Sequence, residues 1–306
     1  MSDPKSSSDP NTPKLSDDVI RLYDRFTHGA MDRRAFFERL TGLAGSVAAA
    51  TALLPLLQND YARAETVRPD DPRLAAEERV AIPGSDAGLT GYLVGPKDRV
   101  KRPALVMIHE NRGLNPHIRD MTRRGALAGY LTLGIDALSP EGGTPADEDK
   151  ARDMIGQLNA ETAARRIAAT VRFLAAHPLS TGKVGAMGFC WGGGMVNAVL
   201  AMEPALGAGV SYYGRQIPAE RVAGITGALQ LHYAGKDERI NAGIPAYRTA
   251  LEAAGKTFEL HMYDGVDHAF NNDANAARYD AAAAKLAWER SLAFLARHLG
   301  TPAPTG

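Results

Sequence analysis

Cysteine is almost absent from this chain of 306 residues, which contains only Cys190. A disulfide within the chain is therefore excluded, and Cys190 has to be treated as a thiol. The sequence also lacks a surplus of either charge, with 35 basic and 35 acidic side chains. This balance gives no reason to expect a nucleic acid or an acidic membrane as a partner. No internal repeat is evident.

Short runs of valine, isoleucine and leucine alternate with alanine-rich and glycine-rich stretches. With 45% apolar residues, the chain can bury one large core or two small ones. The alternation predicts strands and helices in turn, which favours a mostly parallel sheet. The predicted strands are 88–94, 104–108, 130–135, 184–189, 208–213, 228–233 and 258–263. The predicted helices are 116–129, 147–158, 161–176, 192–200, 244–254 and 276–299.

The N-terminal part differs from the rest. Residues 1–14 are rich in Ser, Pro, Asp and Lys and are expected to be disordered, whereas 15–28 is amphipathic. An arginine pair at 33–34 then precedes an apolar run, 40–57, which is followed by Ala-Arg-Ala at 62–64. This order is that of a twin-arginine signal peptide.

The sequence therefore predicts a leader at 1–64, cleaved after Ala64, and one catalytic domain at 65–306. The twin-arginine export machinery would be a partner, and the protein would be periplasmic or secreted. We expect no stable membrane span after cleavage, since the run 40–57 is weakly hydrophobic and a span needs about 20 apolar residues. Two alternatives remain. An uncleaved leader would tether the protein to the membrane, and an ordinary helix that happens to carry two arginines would leave it in the cytoplasm.

Cys190 lies in the sequence Gly-Phe-Cys-Trp-Gly, where a predicted strand passes into a helix of small residues. This is the pattern of a nucleophile elbow, a strained turn that needs small residues two before and two after the nucleophile. Gly188 and Gly192 fill both positions. Free cysteine is also a common buried residue, so a catalytic role requires a base and an acid in suitable places.

Four polar residues follow the ends of predicted strands, namely Glu110, Cys190, Asp237 and His268. Ligands bind outside the carboxyl ends of the strands in open α/β sheets, so these side chains can converge on one rim. Cys190, Asp237 and His268 come in the nucleophile, acid, histidine order of α/β-hydrolases. A histidine would generate the thiolate, and a carboxylate would fix the tautomer of that histidine. Each residue alone could be an ordinary turn or loop residue, but together they predict a catalytic triad.

At these residues the chain resembles the dienelactone hydrolase family, also called carboxymethylenebutenolidases. The match runs from 81 to 298 and is strongest at 188–193, 235–237 and 268–270, and 110–113 looks like the family's glutamate segment. The resemblance implies an α/β-hydrolase fold, with helices on both faces of a mostly parallel sheet. It also implies hydrolysis of an enol lactone or other small ester by a Cys-Asp-His triad without a cofactor.

The same resemblance implies roles for residues next to the triad. Glu110 would accept the thiol proton, or exchange partners with it when substrate enters. The backbone N–H groups of Trp191 and Asn111 would form the oxyanion hole. The alternative for Glu110 is a surface salt bridge with Arg112.

One departure from the family concerns the substrate. Members that act on the carboxylated dienelactone hold its carboxylate with arginines, one of them four residues after the catalytic histidine. Here that position is Asn272, which supplies no charge. Arg152 or Lys150 would correspond to the family's other arginine. Small esters, lactones and thioesters all remain open as substrates.

The leading hypothesis is thus a thiol-dependent ester or lactone hydrolase. The alternative is an exported, non-catalytic ligand-binding protein of the same fold, with a protected thiol. A peroxide-sensing thiol is a third possibility, although the chain has no resolving cysteine. No metal site is predicted, because His109 and Glu110 lack the second histidine of a zinc motif at Gly113.

Overall fold

The computed structural model describes residues 15–86 and 88–305, so the disorder predicted for residues 1–14 lies outside it. The strands in chain order are β1 (Leu74–Ala81), β2 (Thr90–Pro96), β3 (Arg102–Ile108), β4 (Leu131–Asp136), β5 (Ser180–Phe189), β6 (Leu206–Tyr212), β7 (Ala228–Ala234) and β8 (Phe258–Tyr263). The helices in chain order are α1 (Asp17–Thr27), α2 (Arg33–Ala44), α3 (Val47–Leu57), α4 (Tyr61–Ala64), α5 (Pro116–Leu127), α6 (Glu148–Gln157), α7 (Ala160–Ala176), α8 (Trp191–Leu200), α9 (Ala219–Val222), α10 (Glu238–Asn241), α11 (Ile244–Ala253) and α12 (Ala281–Leu299).

All eight strands form one sheet in the order β1-β2-β4-β3-β5-β6-β7-β8. Strand β2 is antiparallel to both β1 and β4, and every other neighbouring pair is parallel. The central strands are covered on both faces, so β3 is buried along its whole length. The predicted mostly parallel sheet is confirmed.

Alternate residues of β3 enter two different apolar cores. Val106 and Ile108 belong to the core that contains residues of α7 and α8. Leu105 and Met107 belong to a second core, with residues of α5 and α12. Because successive side chains of a strand point to opposite faces, these two cores place helices on both sides of the sheet.

Every element predicted from residue 88 onward is present with similar bounds, although the short helices α9 and α10 were not predicted. Helix α12 begins at Ala281 rather than at residue 276, because the Asp280 side chain caps its first turn by accepting from the N–H of Ala283 at 2.8 Å. Strand β1 was not predicted, since its sequence Leu-Ala-Ala-Glu-Glu-Arg-Val-Ala lacks the apolar alternation of a half-buried strand. It lies at the edge of the sheet and is mostly exposed.

Residues 15–64 form the four helices α1 to α4, which we call the N-terminal segment. Helices α2 and α3 divide the predicted apolar run, since Gly45 ends α2 with a φ of 79° and Ser46 caps α3. Within the described residues no single helix is long and apolar enough to cross a membrane. Helices α2 and α3 reach that length and apolarity only together, and they meet at an angle of 113°.

Candidate active site

Cys190 occupies a sharp turn between β5 and α8, with φ 53° and ψ −111°. A Cβ at Gly188 would lie 2.2 Å from the carbonyl oxygen of Gly192, and a Cβ at Gly192 would lie 2.5 Å from that of Ile108. No real Cβ approaches backbone so closely, so only glycine fits on either side of the thiol. The chain therefore has the turn that the Gly-Phe-Cys-Trp-Gly sequence predicts.

His268 and Asp237 form a short, buried pair. The Nδ1–H of His268 donates to Oδ2 of Asp237 at 2.5 Å, and Oδ1 of Asp237 accepts from the N–H of Ile240 at 3.2 Å. Only 4% of His268 and 5% of Asp237 are exposed. Nε2 of His268 has no hydrogen-bond partner within the described residues. This nitrogen is free to exchange a proton with a reacting group.

The charges at the site favour a thiolate. Burial alone would raise the pKa of Cys190, but the positive charges of His268 and His28 outweigh it and lower that pKa to about 6. Burial alone would lower the pKa of His268, yet the negative charges of Asp237 and Cys190 raise it well above its usual range. The helix dipole at the start of α8 acts in the same direction on the sulfur.

Backbone strain is concentrated around the sulfur. Five described residues other than glycine have a positive φ, and three of them are Cys190, Tyr213 and Ala269. Tyr213 packs its ring 4.8 Å from that of His268, and Ala269 is the next residue after that histidine. Each such conformation costs about 1–3 kcal/mol and persists only where the surroundings enforce it. Clustered strain of this kind is typical of a functional site.

His28, which the sequence reasoning missed, is the hydrogen-bond partner of the thiol. Its Nε2 lies 3.4 Å from Sγ of Cys190, and its ring packs edge-on against His268 with centroids 4.7 Å apart. Its Nδ1 donates to the backbone carbonyl of Asp24 at 2.7 Å and lies 3.2 Å from Oδ1 of the same residue. His28 is 162 residues from Cys190 in the chain, so only the position of the N-terminal segment reveals the contact.

One ring nitrogen of His28, one of His268 and Sγ of Cys190 lie within 4.8 Å of one another. Two imidazoles and a thiolate are ligands that zinc accepts. The Nδ1–H of His28 also donates to the backbone carbonyl of Asp24, and that of His268 donates to the carboxylate of Asp237. Such hydrogen bonds are the usual support for a metal ligand. The same support serves an acid-base histidine, so the arrangement suits either chemistry.

Glu110 faces other partners than the thiol. Its Oε2 accepts from Nδ2 of Asn272 at 2.8 Å, and its Oε1 accepts from the hydroxyl of Tyr213 at 3.4 Å. Glu110 is buried, and it does not form the surface salt bridge with Arg112 that was the alternative. Asn272, proposed from the sequence as a substrate contact, holds Glu110 here. Control of the thiol by Glu110 stays a prediction.

The two residues predicted for the oxyanion hole lie beside the sulfur. Trp191 begins α8, where helix geometry leaves the backbone N–H without an intrahelical partner. Its indole stacks on His109 with the planes 8° apart. Asn111 borders the same cavity as Cys190, and its side chain donates to the carbonyl of Thr27 at 2.7 Å.

The arginine at the cavity is not the one that the sequence predicted. Arg152 is not among the residues around the thiol, because its guanidinium pairs with Asp149 and Asp153. Arg278, which the sequence reasoning missed, is buried and lines the cavity with Cys190. Arg278, which follows His268 by ten residues rather than by four, therefore brings a cationic side chain to the cavity, and Arg112 lines the same cavity.

The cavity at Cys190 is very small, about 20 Å³. A space of this size holds about one water molecule, whereas pockets for small ligands are about 300–1,000 Å³. Its lining residues are Tyr23, Thr27, His28, Asn59, Glu110, Asn111, Arg112, Cys190, His268, Ala269 and Arg278. Four of the predicted residues line this cavity, Glu110, Asn111, Cys190 and His268, and the N-terminal segment closes the space above them.

The thiol should titrate far below its ordinary range. In the full chain, the far-ultraviolet absorbance of the Cys190 thiolate is expected to appear as the pH rises through about 6. A lowered pKa means that the sulfur is protonated only below this pH. His28→Ala removes one positive charge and should move the midpoint upward, toward the value of about 8.5 for a free thiol. His261→Ala, on strand β8, is the control that should leave it unchanged. A midpoint near 8.5 in the unmodified chain would contradict stabilisation of the Cys190 thiolate by His268 and His28.

The sheet order and the strand-end positions of Cys190, Asp237 and His268 define an α/β-hydrolase. Residues 89–299 match the dienelactone hydrolase family, and the chain belongs to that family. It is therefore an ester or lactone hydrolase.

Relatives and solved structures agree with this assignment. The chain is 46% identical to "Putative hydrolase fragment YghX" of Escherichia coli K12 over 112 residues, which cover 36% of this chain and 96% of that protein. It is 30% identical to "Probable 2-oxo-3-(5-oxofuran-2-ylidene)propanoate lactonase" of a Bradyrhizobium species, over 73% of this chain and 97% of that protein. The crystal structure of a "Putative Dienelactone Hydrolase" from Klebsiella pneumoniae superposes with a TM-score of 0.66 at 26% identity, over 73% of this chain and 99% of that one.

Proposed function

We propose that the protein hydrolyses a small ester or enol lactone through a thioester formed on Cys190. The observation that carries the proposal is the buried Asp237–His268 pair, whose free Nε2 lies at the same cavity as a thiol in a strained elbow. The likeness to a lactonase at 30% identity supports a lactone as one substrate.

The reaction has two halves. The Cys190 thiolate attacks the substrate carbonyl, and the N–H groups of Trp191 and Asn111 stabilise the oxyanion. As the carbon–oxygen bond breaks, His268 gives its proton to the leaving oxygen and a thioester remains. His268 then takes a proton from water, whose oxygen attacks the thioester and releases the acid and the thiolate. Asp237 keeps His268 in the required tautomer throughout.

A substrate panel tests this function. Purified protein should be assayed with and without the N-terminal segment on a set of p-nitrophenyl esters, enol lactones and thioesters, and at least one of the two forms should hydrolyse some of them. A covalent thioester should be detectable by mass spectrometry after rapid acid quenching. No turnover by either form would instead favour the non-catalytic ligand-binding alternative.

We also propose export by the twin-arginine route, with cleavage after Ala64. The order of the arginine pair, the apolar run and the Ala-Arg-Ala sequence supports it. The side chains of Arg33 and Arg34 are 72% and 88% exposed, so a receptor could reach them in the folded chain. Fractionation of cells that produce the protein, with Arg33→Lys and Arg34→Lys together as the variant, tests the route. Export that is unaffected by the double substitution would argue against it.

A further inference from the structure

We propose that the N-terminal segment occupies the substrate site of its own hydrolase domain, so that the full chain is latent until the segment undocks or is removed. The inference rests on the hydrolase function proposed above, because it concerns access to the same thiol. It gives residues 15–64 a role besides any in export.

The cavity at Cys190 has no room for a substrate while the N-terminal segment is docked. Four of the eleven residues around the cavity, Tyr23, Thr27, His28 and Asn59, come from the N-terminal segment. The remaining volume of about 20 Å³ admits a water molecule but no ester. A substrate can therefore reach Cys190 only when these side chains move away together.

The segment also contacts the groups that the reaction uses. His28 is hydrogen-bonded to the sulfur, so its imidazole lies where a substrate carbonyl would have to approach. The carbonyl of Thr27 accepts from the side chain of Asn111, next to the proposed oxyanion hole. The segment thus blocks the nucleophile and one side of the oxyanion position together.

A carboxylate of the segment meets the buried cation of the site. Oδ1 of Asp24 lies 3.8 Å from Nη1 of Arg278, and Oδ2 of Asp24 lies 4.0 Å from Nε of Arg239. Asp24 is the acidic partner of Arg278 within the described residues. Departure of the segment would leave a buried positive charge beside the thiol, open to an anionic group of a substrate.

The segment has an apolar core of its own, which makes its departure feasible. That core consists of side chains of α1, α2, α3 and their neighbours, and Ala277 is its one member from outside the segment. The contacts with the hydrolase domain are largely polar, such as Lys236–Asp17 at 3.1 Å and Arg33–Asp149 at 3.0 Å. Polar interfaces of this kind resemble those between domains that move relative to each other.

A cut between the two parts can be placed so that Val67 stays with the hydrolase domain, where it belongs to the second core and its N–H donates to Oδ1 of Asp120 at 2.8 Å. Glu65 and Thr66 are exposed and directly follow the segment. We would insert a protease recognition sequence between Glu65 and Thr66, purify the folded full chain, cut it and separate the segment by gel filtration in high salt. Because the chain folds before it is cut, the hydrolase domain need not fold alone.

Two rates should rise at least about 100-fold after the cut and separation, namely the alkylation of Cys190 by iodoacetamide and kcat/KM for p-nitrophenyl acetate. Two substitutions in the uncut chain form a matched pair. Leu40→Asp places a charge in the segment's core, where Leu40 has no exposed surface, and should raise both rates. Arg34→Ala removes an exposed side chain whose ion-pair partner within the described residues is Glu38, and it should change neither rate.

The rates of the uncut chain and of the separated domain distinguish blockage of the site by the segment from the proposed hydrolase function. If the uncut chain turns over as fast as the separated domain, or faster, the segment does not block the site and the inference is wrong, while the hydrolase function stands. If alkylation accelerates but no form hydrolyses any ester, the blockage is upheld and the proposed function fails. If the separated domain loses its circular dichroism spectrum, Leu40→Asp in the uncut chain decides alone, and unchanged rates there would overturn the inference.

Discussion

Cys190→Ala is expected to lower kcat/KM for esters by at least about ten-thousand-fold while leaving the melting temperature nearly unchanged. Without the sulfur no thioester can form, and His268 and the backbone N–H groups retain only a small part of the catalysis. Cys190 is only partly buried at the edge of the second core, and alanine removes a single atom from it, so the substitution should cost little stability. Initial rates should be measured on the chain with and without the N-terminal segment, beside thermal unfolding of each variant.

Two further variants test whether the sulfur of Cys190 is the nucleophile. Cys190→Ser keeps the shape of the side chain but replaces a thiol of pKa about 6 by a far weaker acid, so it should lose nearly as much activity as the alanine variant. His261→Ala serves as the control, since His261 lies on β8 and pairs with Glu259. Hydrolysis that survives in both Cys190 variants would mean that another residue is the nucleophile.

Gly192→Ala is expected to lower the free energy of unfolding by about 3 kcal/mol or more and to abolish activity. The new Cβ would lie 2.5 Å from two backbone carbonyl oxygens, those of Ile108 and His109. These atoms belong to β3 and its end, at the centre of the sheet, and cannot withdraw as a flexible side chain can. The elbow would have to open, which would move the sulfur away from His268.

Gly194→Ala is the matched control in the same helix. A Cβ there would meet nothing closer than 3.5 Å, which is an ordinary contact. Alanine favours a helix over glycine by about 1 kcal/mol, so this variant should be as stable as the parent or more so. Chemical denaturation should be used to measure the free energy of unfolding of both variants and of the parent chain. Equal stability of the two would show that the close approach at Gly192 has been overestimated.

Local sequence was sufficient to predict seven of the eight strands and to place Cys190, Asp237 and His268 at one rim of the sheet. Most of the predicted strands from 104 onward are apolar runs, and their ends carry these side chains to that rim. The start of α12 was placed five residues early because Ala276 and Ala277 favour a helix. The chain uses these residues in a turn, where neighbouring Asn275 donates to the carbonyl of Leu57 at 2.8 Å. The Asp280 cap then starts α12 beyond this turn.

The other site residues depend on distant contacts that no pattern displays. His28 ends an amphipathic helix that reads equally well as part of a leader, and only its packing brings it to the sulfur. Arg278 lies in the same irregular stretch as Asn275 and gains its importance from burial beside the cavity. Asn272 was chosen by its spacing from His268, yet its amide turns toward Glu110. Spacing along the chain fixed the position of this residue but not the direction of its side chain.

The carbonyl of Ala64 accepts from the guanidinium of Arg124 at 3.1 Å, and Ala64 itself is buried. A peptidase that cuts after Ala64 would find its peptide bond shielded in the docked chain. When opening and closing are fast relative to cutting, the rate of proteolysis follows the population of the open form. The stability of the contact between the N-terminal segment and the hydrolase domain would then set the delay between synthesis and the appearance of active enzyme. Substitutions at Arg124 would shorten or lengthen that delay without touching the chemistry at Cys190.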